Sequence, residues 1–170
     1  MPAAGGIVYA ADVNAGDAWS LTKPLCRLVQ SVAQSLTNNV AAALTFTTED
    51  IDTHGFHDNV TNNTRITPTV AGYYRVTATL MIVGAADYTL LQCGPAKNGS
   101  STNAAPHGRV QPGTTSAARS VTGSAILTAN GTTDYFEAIA LQTNTAALAK
   151  LTNVSSQFSS VLEVEGLRPL

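Results

Sequence analysis

An all-β domain, an antiparallel sandwich or barrel, is what this 170-residue sequence predicts, and three observations predict it. From Val40 onward apolar residues recur mostly at every second position, the period of a strand with one buried face. Clusters of Gly, Pro, Asn and Asp punctuate these runs and read as turns. Threonine is abundant, and a β-branched hydroxyl residue suits the solvent side of a strand.

Taken in order, residues 1–26 stand apart. "GGIVYAADVNAGDAWSLTKPLC" shows neither clean alternation nor a long helical stripe, although 12–19 could form a helical turn or two. It reads as an arm. Tyr9, Val13, Trp19 and Leu21 make it too apolar to stay in water, so it is expected to dock on its own domain, a sister chain or a larger assembly. No heptad pattern marks a coiled-coil stalk. Residues 27–170 then form the domain. In "VAAALTFT" (40–47) Ala42, Leu44 and Phe46 share one side. In "GYYRVTATLMIV" Tyr74, Val76, Ala78, Leu80 and Ile82 share one side, with Tyr73, Arg75, Thr77 and Thr79 on the other. Residues 94–116, rich in Gly, Pro, Ser and Asn, read as long loops around at most one short strand, and loops on a rigid sheet are where binding tends to sit. "SVTGSAILTANGTTDYFEAIALQTN" is two alternating runs joined by Asn130-Gly131, which suits a tight hairpin. "SQFSSVLEVEGL" puts Phe158, Ser160, Leu162 and Val164 on one face.

Composition narrows the function classes. Charged residues are 12% of the chain, against about 25% in an ordinary domain, and the net charge is -2. Nine Lys and Arg scattered singly make no basic stripe, so nucleic acid and anionic membranes are set aside as partners. No apolar run is long enough for membrane insertion, and the N-terminus lacks the charged start and hydrophobic stretch of a secretory signal. Assembly in cytoplasm is the expectation. Cys26 and Cys93 lie far apart without metal-ligand spacing and read as buried free thiols.

In "RITPTVAGYYRVTATL", Ile66, Gly72, Tyr74 and Val76 occupy the spacing in which C1q and tumour-necrosis-factor-like domains carry an aromatic residue and then Gly-x-Tyr-x-Phe. With "LTFTTEDIDTHGFHD" before it, and "ARSVTGSAILTANGTTDYFEAIALQ" and "SSQFSSVLEVEGL" after it, the resemblance covers about residues 27–167. Aliphatic residues replace several of the family's aromatics. The resemblance implies an antiparallel jelly-roll sandwich that closes into a homotrimer. With "VAQSLTNNVAAALTFTTEDIDTHGFHD" the chain is similar to C1q-like modules of tailed-bacteriophage virion proteins: minor tail proteins, fibres and capsid decoration proteins. That likeness implies a module assembled in the host cytoplasm and exposed on the particle, fixed to other virion proteins of tail or capsid through the arm. Alternating apolar surface beyond the needs of one small core fits the trimer, because a symmetric interface can absorb it.

The acidic stretch "EDIDTHGFHD" (49–58) holds the densest chemistry. Asp52, His54, His57 and Asp58 have the donor types of a metal site, and the family resemblance, whose members can bind calcium through acidic loops, keeps calcium open. The favoured reading is an exposed turn, with Asp side chains bonding nearby N–H groups and Gly55 left-handed, because no helical face converges the two histidines. No other cofactor is indicated. No enzyme is expected: there is no Gly-x-Ser-x-Gly elbow, Cys93 and His107 form no triad pattern, and Glu137, Glu163 and Asp134, on or near strands, are candidates for paired carboxylates of glycoside cleavage with outward-facing solvated carboxylates as the commoner alternative. Tyr73 and Tyr88 are candidates for stacking on host surface carbohydrate, with burial in a sheet or subunit interface as the commoner alternative. His107 and Arg109, in "APHGRVQPG", are candidates for a binding loop, with an ordinary solvated loop as the alternative.

Overall fold

A computed structural model describes residues 22–100, 108–111, 116–155 and 158–170. Tyr9, Val13, Trp19, the 12–19 segment and His107 lie outside the described residues. Twelve strands are present among the described residues: β1 (Leu25–Val29), β2 (Ser35–Leu36), β3 (Ala42–Ala43), β4 (Thr48–Asp52), β5 (Arg65–Ile66), β6 (Ala71–Ile82), β7 (Tyr88–Lys97), β8 (Gly108–Val110), β9 (Arg119–Asn130), β10 (Phe136–Asn144), β11 (Lys150–Leu151) and β12 (Val161–Pro169). They form two five-stranded sheets. The first runs β4-β1-β12-β6-β9, the second β3-β10-β7-β8 with β5 also on β10, and β2 and β11 make a small two-stranded sheet. All named pairings are antiparallel, and non-consecutive neighbours such as β1-β12 and β12-β6 give the crossing connections of a jelly roll. β1 begins two residues inside the span read from sequence as the arm.

Alternation explains the core. The inward residues of β6 named from the sequence (Tyr74, Val76, Ala78, Leu80, Ile82) are fully buried, as are Leu28 on β1 and Leu162 on β12. They meet Leu91 and Cys93 of β7 and Phe136, Ala138 and Ala140 of β10 from the other sheet in one core cluster. Leu44 and Phe46 are buried as their spacing predicts, but only Ala42 and Ala43 of that run pair in a ladder. Beyond them Leu44 N–H donates to Ala138 O and Phe46 N–H to Asn63 O, irregular partners that serve the same face.

Three sequence expectations are corrected. Asn130-Gly131 does not join a hairpin, because β9 pairs with β6 while β10 pairs with β7, β3 and β5. The Asn130 side chain accounts for the crossing. Its Oδ1 accepts the N–H groups of Thr132, Thr133 and Asp134 at 2.9–3.1 Å, and Gly131 follows at φ +75°, which winds the chain over to the other sheet. Residues 94–97, expected in a loop, complete β7, where Pro95 faces Ala138. β8 pairs only with Leu91–Cys93, so past Cys93 no strand among the described residues lies on that side of β7 to miss the proline's N–H. Phe158 is 51% exposed and precedes β12, whereas Ser160, Leu162 and Val164 do face inward. Phe158 N–H instead bonds Ser155 Oγ at 3.0 Å.

Candidate functional site

The acidic stretch divides in two. Residues 48–52 are the edge strand β4, paired to β1 with an irregularity between Arg27 and Leu28. Acids on this edge give it charge rather than a free ladder for other chains, and Asp50 pairs with Arg27 at 2.9 Å. Residues 53–58 are the turn. Asp52 Oδ1 accepts the His54 N–H at 3.2 Å and its Oδ2 the His57 N–H at 3.0 Å, while Gly55 is left-handed at φ +63°. Asp58 accepts the N–H groups of Val60 (2.8 Å) and Thr61 (3.0 Å) and the Thr61 hydroxyl.

The histidines are engaged too. His54 Nδ1 lies 2.7 Å from Thr53 Oγ1, and the His57 ring faces two carbonyls, with Nδ1 2.6 Å from Arg65 O and Nε2 3.2 Å from Phe46 O. Both His57 nitrogens thus face carbonyl oxygens rather than a site where an ion could sit. Among the described residues no group of three or more His, Cys, Asp or Glu converges to hold an ion. Asp52, His54, His57 and Asp58 therefore act here as the pins of a turn.

Those pins shape a hollow of about 270 Å³ behind the turn, lined by Phe56, His57, Asn62, Arg65, Thr67 and Thr69 among others. Thr67 N–H donates to Phe56 O at 2.7 Å, which closes the 56–67 loop on itself. Arg65 forms one wall. Its guanidinium lies 3.9 Å over the Tyr135 ring, Nε reaches the buried Glu137 at 3.4 Å, and Nη1 reaches Asn62 Oδ1 at 3.4 Å. Thr64 Oγ1 donates to Glu137 at 2.8 Å, so the buried carboxylate has both a hydroxyl and a cation as partners. Sequence reasoning missed this group because Arg65 and Tyr135 are distant in the chain and meet only through the β5-β10 pairing.

The turn also carries a pH dependence. The Thr61 hydroxyl first, then the Thr61 and Val60 N–H groups, hold the Asp58 carboxyl down at about 2, below its ordinary 3.8. A depressed carboxyl contributes stability that is present above about 4 and lost as pH falls toward 2. The side-chain carbon of Asp58 is expected to titrate near pH 2 by NMR, and Thr61→Ala to move that midpoint upward. A midpoint at the ordinary value in the unaltered protein would show that these bonds do not form.

The other sequence candidates fall elsewhere. Tyr88 is 4% exposed, and its hydroxyl donates to Val83 O at 2.8 Å, so its ring has no free face for a sugar. Tyr73 is half-buried on the outward side of the first sheet, with one face covered by Arg168 at 4.2 Å. Arg109 sits on the short edge strand β8 opposite Gln92 and borders a hollow with Thr89, Leu90 and Gln111, so it belongs to a sheet edge rather than a loop tip. The possible catalytic groups are separated or quiet. Burial pushes the Cys93 thiol up to about 12 and also raises Cys26, so neither is a thiolate at neutral pH. Glu163 pairs with Arg27 at 3.1 Å on the first sheet, and Asp134 with Lys97 at 2.8 Å beyond the second. Glu137, expected as a solvated carboxylate, is instead buried, because the β5-β10 pairing sets it under Thr64 and Arg65.

The outward face of the first sheet is a second candidate surface. Thr77–Ser124 (2.9 Å) and Thr79–Thr122 (2.8 Å) form hydroxyl rungs between β6 and β9. Arg27 opposes Glu163, and Arg75 opposes Glu165 at 3.0 Å, across neighbouring strands. A groove of about 230 Å³ lies among these pairs, with Leu25 and Ile51 on it, and Ile126, opposite Arg75, is 61% exposed.

No protein-family model matches the chain, and no curated protein sequence matches it. Solved structures do. Murine APRIL matches with a TM-score of 0.63 at 9% identity, over 86% of this chain and 100% of that one. The globular domain of zebrafish complement 1qA matches at 0.60 and 14% identity, over 87% and 100%, and the Eiger TNF of S. frugiperda at 0.60 and 7%, over 87% and 94%. Identities this low speak to architecture alone, and with the two-sheet topology they establish that the chain is an all-β antiparallel jelly roll of the C1q and tumour-necrosis-factor type.

Proposed function

We propose that the protein is a non-enzymatic structural module of a tailed-bacteriophage particle: a homotrimer on the virion surface, at the tail tip or fibre as a minor tail protein, that contacts host surface glycans. The outward face of the first sheet carries the trimer reading. Leu25, Ile51 and Ile126 offer apolar surface there, while the hydroxyl rungs and the Arg27–Glu163 and Arg75–Glu165 pairs already satisfy their own polar groups. Burial of such a face therefore leaves none of these charges or hydroxyls without a partner. The jelly-roll architecture supports the same reading, since the family resemblance carries the expectation of threefold closure. Light scattering on purified protein is expected to give the mass of three 17.6 kDa chains, and a single-chain mass at micromolar concentration would refute the trimer.

Residues 1–26 are the proposed attachment to the particle, with Tyr9, Val13 and Trp19 as the apolar anchors. A second reading has the same trimer decorating the capsid as a head fibre or cement protein, with the 1–26 arm as its attachment. Labelled antibody on intact virions separates the two: label on tails supports the first, label on heads the second. A decoration protein is also expected to fail in adsorption to host cells.

A further inference from the structure

The hollow behind the acidic turn has features that a merely structural loop does not need. It is open, since nothing lies within 4 Å of where a Cβ on Gly55 would stand. Its walls are fixed before any ligand arrives, because His57 is held by two carbonyls, Asp58 by three donors and Arg65 by Tyr135, Glu137 and Asn62. Preorganised walls lower the ordering cost of binding. The groups left over are uncharged: the Thr67 and Thr69 hydroxyls and the Asn62 amide nitrogen have no hydrogen-bond partner among the described residues.

Charge excludes the other ligand classes. Arg65, the cation on the wall, is already neutralised by the buried Glu137, and Asp58 adds negative charge, which disfavours phosphate, sulfate or an acidic sugar. The carboxylate oxygens of Asp52 and Asp58 accept N–H and O–H donors and the His57 nitrogens face carbonyls, which disfavours a metal. What fits is a small neutral ligand rich in hydroxyls. At about 270 Å³ the hollow lies just under the usual size for drug-like ligands, as suits a single ring.

We propose that this hollow, between the 55–69 loop and the Arg65–Tyr135 pair, binds one uncharged sugar residue. Thr67, Thr69 and Asn62 hydrogen-bond its hydroxyls, and the flat, pinned Arg65 and His57 position it. The proposal rests on the reading of the protein as a glycan-contacting surface module and gives that contact a location. The 98–100 turn packs against Tyr135, where a Cβ on Gly99 would stand 3.3 Å from the Tyr135 hydroxyl.

The test titrates the full chain, isotope-labelled, with the methyl glycosides of glucose, galactose, mannose and N-acetylglucosamine, with methyl glucuronide as the charged control. At least one neutral glycoside is expected to shift the signals of residues 55–69 with Kd of about 1–10 mM. The double variant Thr67→Val with Thr69→Val is expected to weaken that binding about tenfold and leave Tm unchanged, since both side chains keep their shape and lose only hydroxyls. No shift at about 50 mM of any probe, shifts that map elsewhere, tighter binding of the glucuronide, or an unaffected double variant would each overturn the proposal. Adsorption to host cells is measured on the same samples. Glycoside binding without adsorption sinks the host-contact reading and leaves the hollow standing, whereas adsorption without glycoside binding sinks the hollow alone.

Discussion

Tyr74→Ala is expected to destabilise the protein by about 3–5 kcal/mol at fixed chain concentration, a large loss for one side chain. Tyr74 is fully buried at the centre of the core and packs edge-on to Phe56 (6.3 Å) and tilted to Phe136 (5.9 Å), so it bridges the acidic loop and the second sheet. Its hydroxyl donates to Val70 O at 2.6 Å, in the segment that leads into β6. Alanine removes the ring contacts on both sides and leaves a cavity that the paired strands around it cannot collapse to fill. Since a domain of this size holds about 5–15 kcal/mol in total, a large part of its stability goes with one ring. Tyr74→Phe separates the two contributions: it keeps the packing, strands the Val70 carbonyl, and should cost about 1–2 kcal/mol. Denaturant unfolding followed by circular dichroism measures both, and an alanine variant within about 1 kcal/mol of the parent would mean that the sheets repack around the gap.

Ile126→Lys is expected to convert the proposed trimer to single chains. In one subunit Ile126 is exposed and stands opposite Arg75, so a lysine there costs the isolated fold little, about 0.5 kcal/mol. In a trimer closed on the first sheet the same change buries a new cation beside Arg75, whose partner acid, Glu165, is already engaged, and does so at every copy around the axis. An unpaired charge at an interface costs about 2–5 kcal/mol, which raises the dissociation constant about 30-fold to several thousand-fold at each contact. Sedimentation should show the mass falling from that of the trimer to that of one chain, with unchanged circular dichroism. A variant that keeps the parent mass would place the contact on another face, and the outward side of the second sheet, with Gln92 and Arg109, would become the next surface to test.

Both substitutions fall on strands whose alternation is visible in the chain. Tyr74, Val76, Ala78, Leu80 and Ile82 share a face by their spacing alone, and all five are buried. Thr77 and Thr79 take the outward side by the same spacing, and there their hydroxyls form rungs to Ser124 and Thr122. The turn chemistry around Gly55 is readable for a related reason, since Asp side chains and a left-handed glycine act on backbone a few residues away. The acidic half of that stretch is not readable, because a strand at a sheet edge needs a partner, and β4 exists only through β1.

Local character is thus written in the chain: which residues face inward, where the backbone turns, and how little charge the surface carries. Strand partners are chosen only in three dimensions. Asn130-Gly131 has the residues of a hairpin and serves as a crossing, Pro95 has the look of a loop and sits in a long strand, and Arg65 finds Tyr135 and Glu137 across the sheet. The physical reason is that side-chain period and turn preference are set by neighbouring residues along the chain, whereas pairing is chosen by the shared burial of faces far apart in sequence, and the hollow at 55–69 is a by-product of that choice.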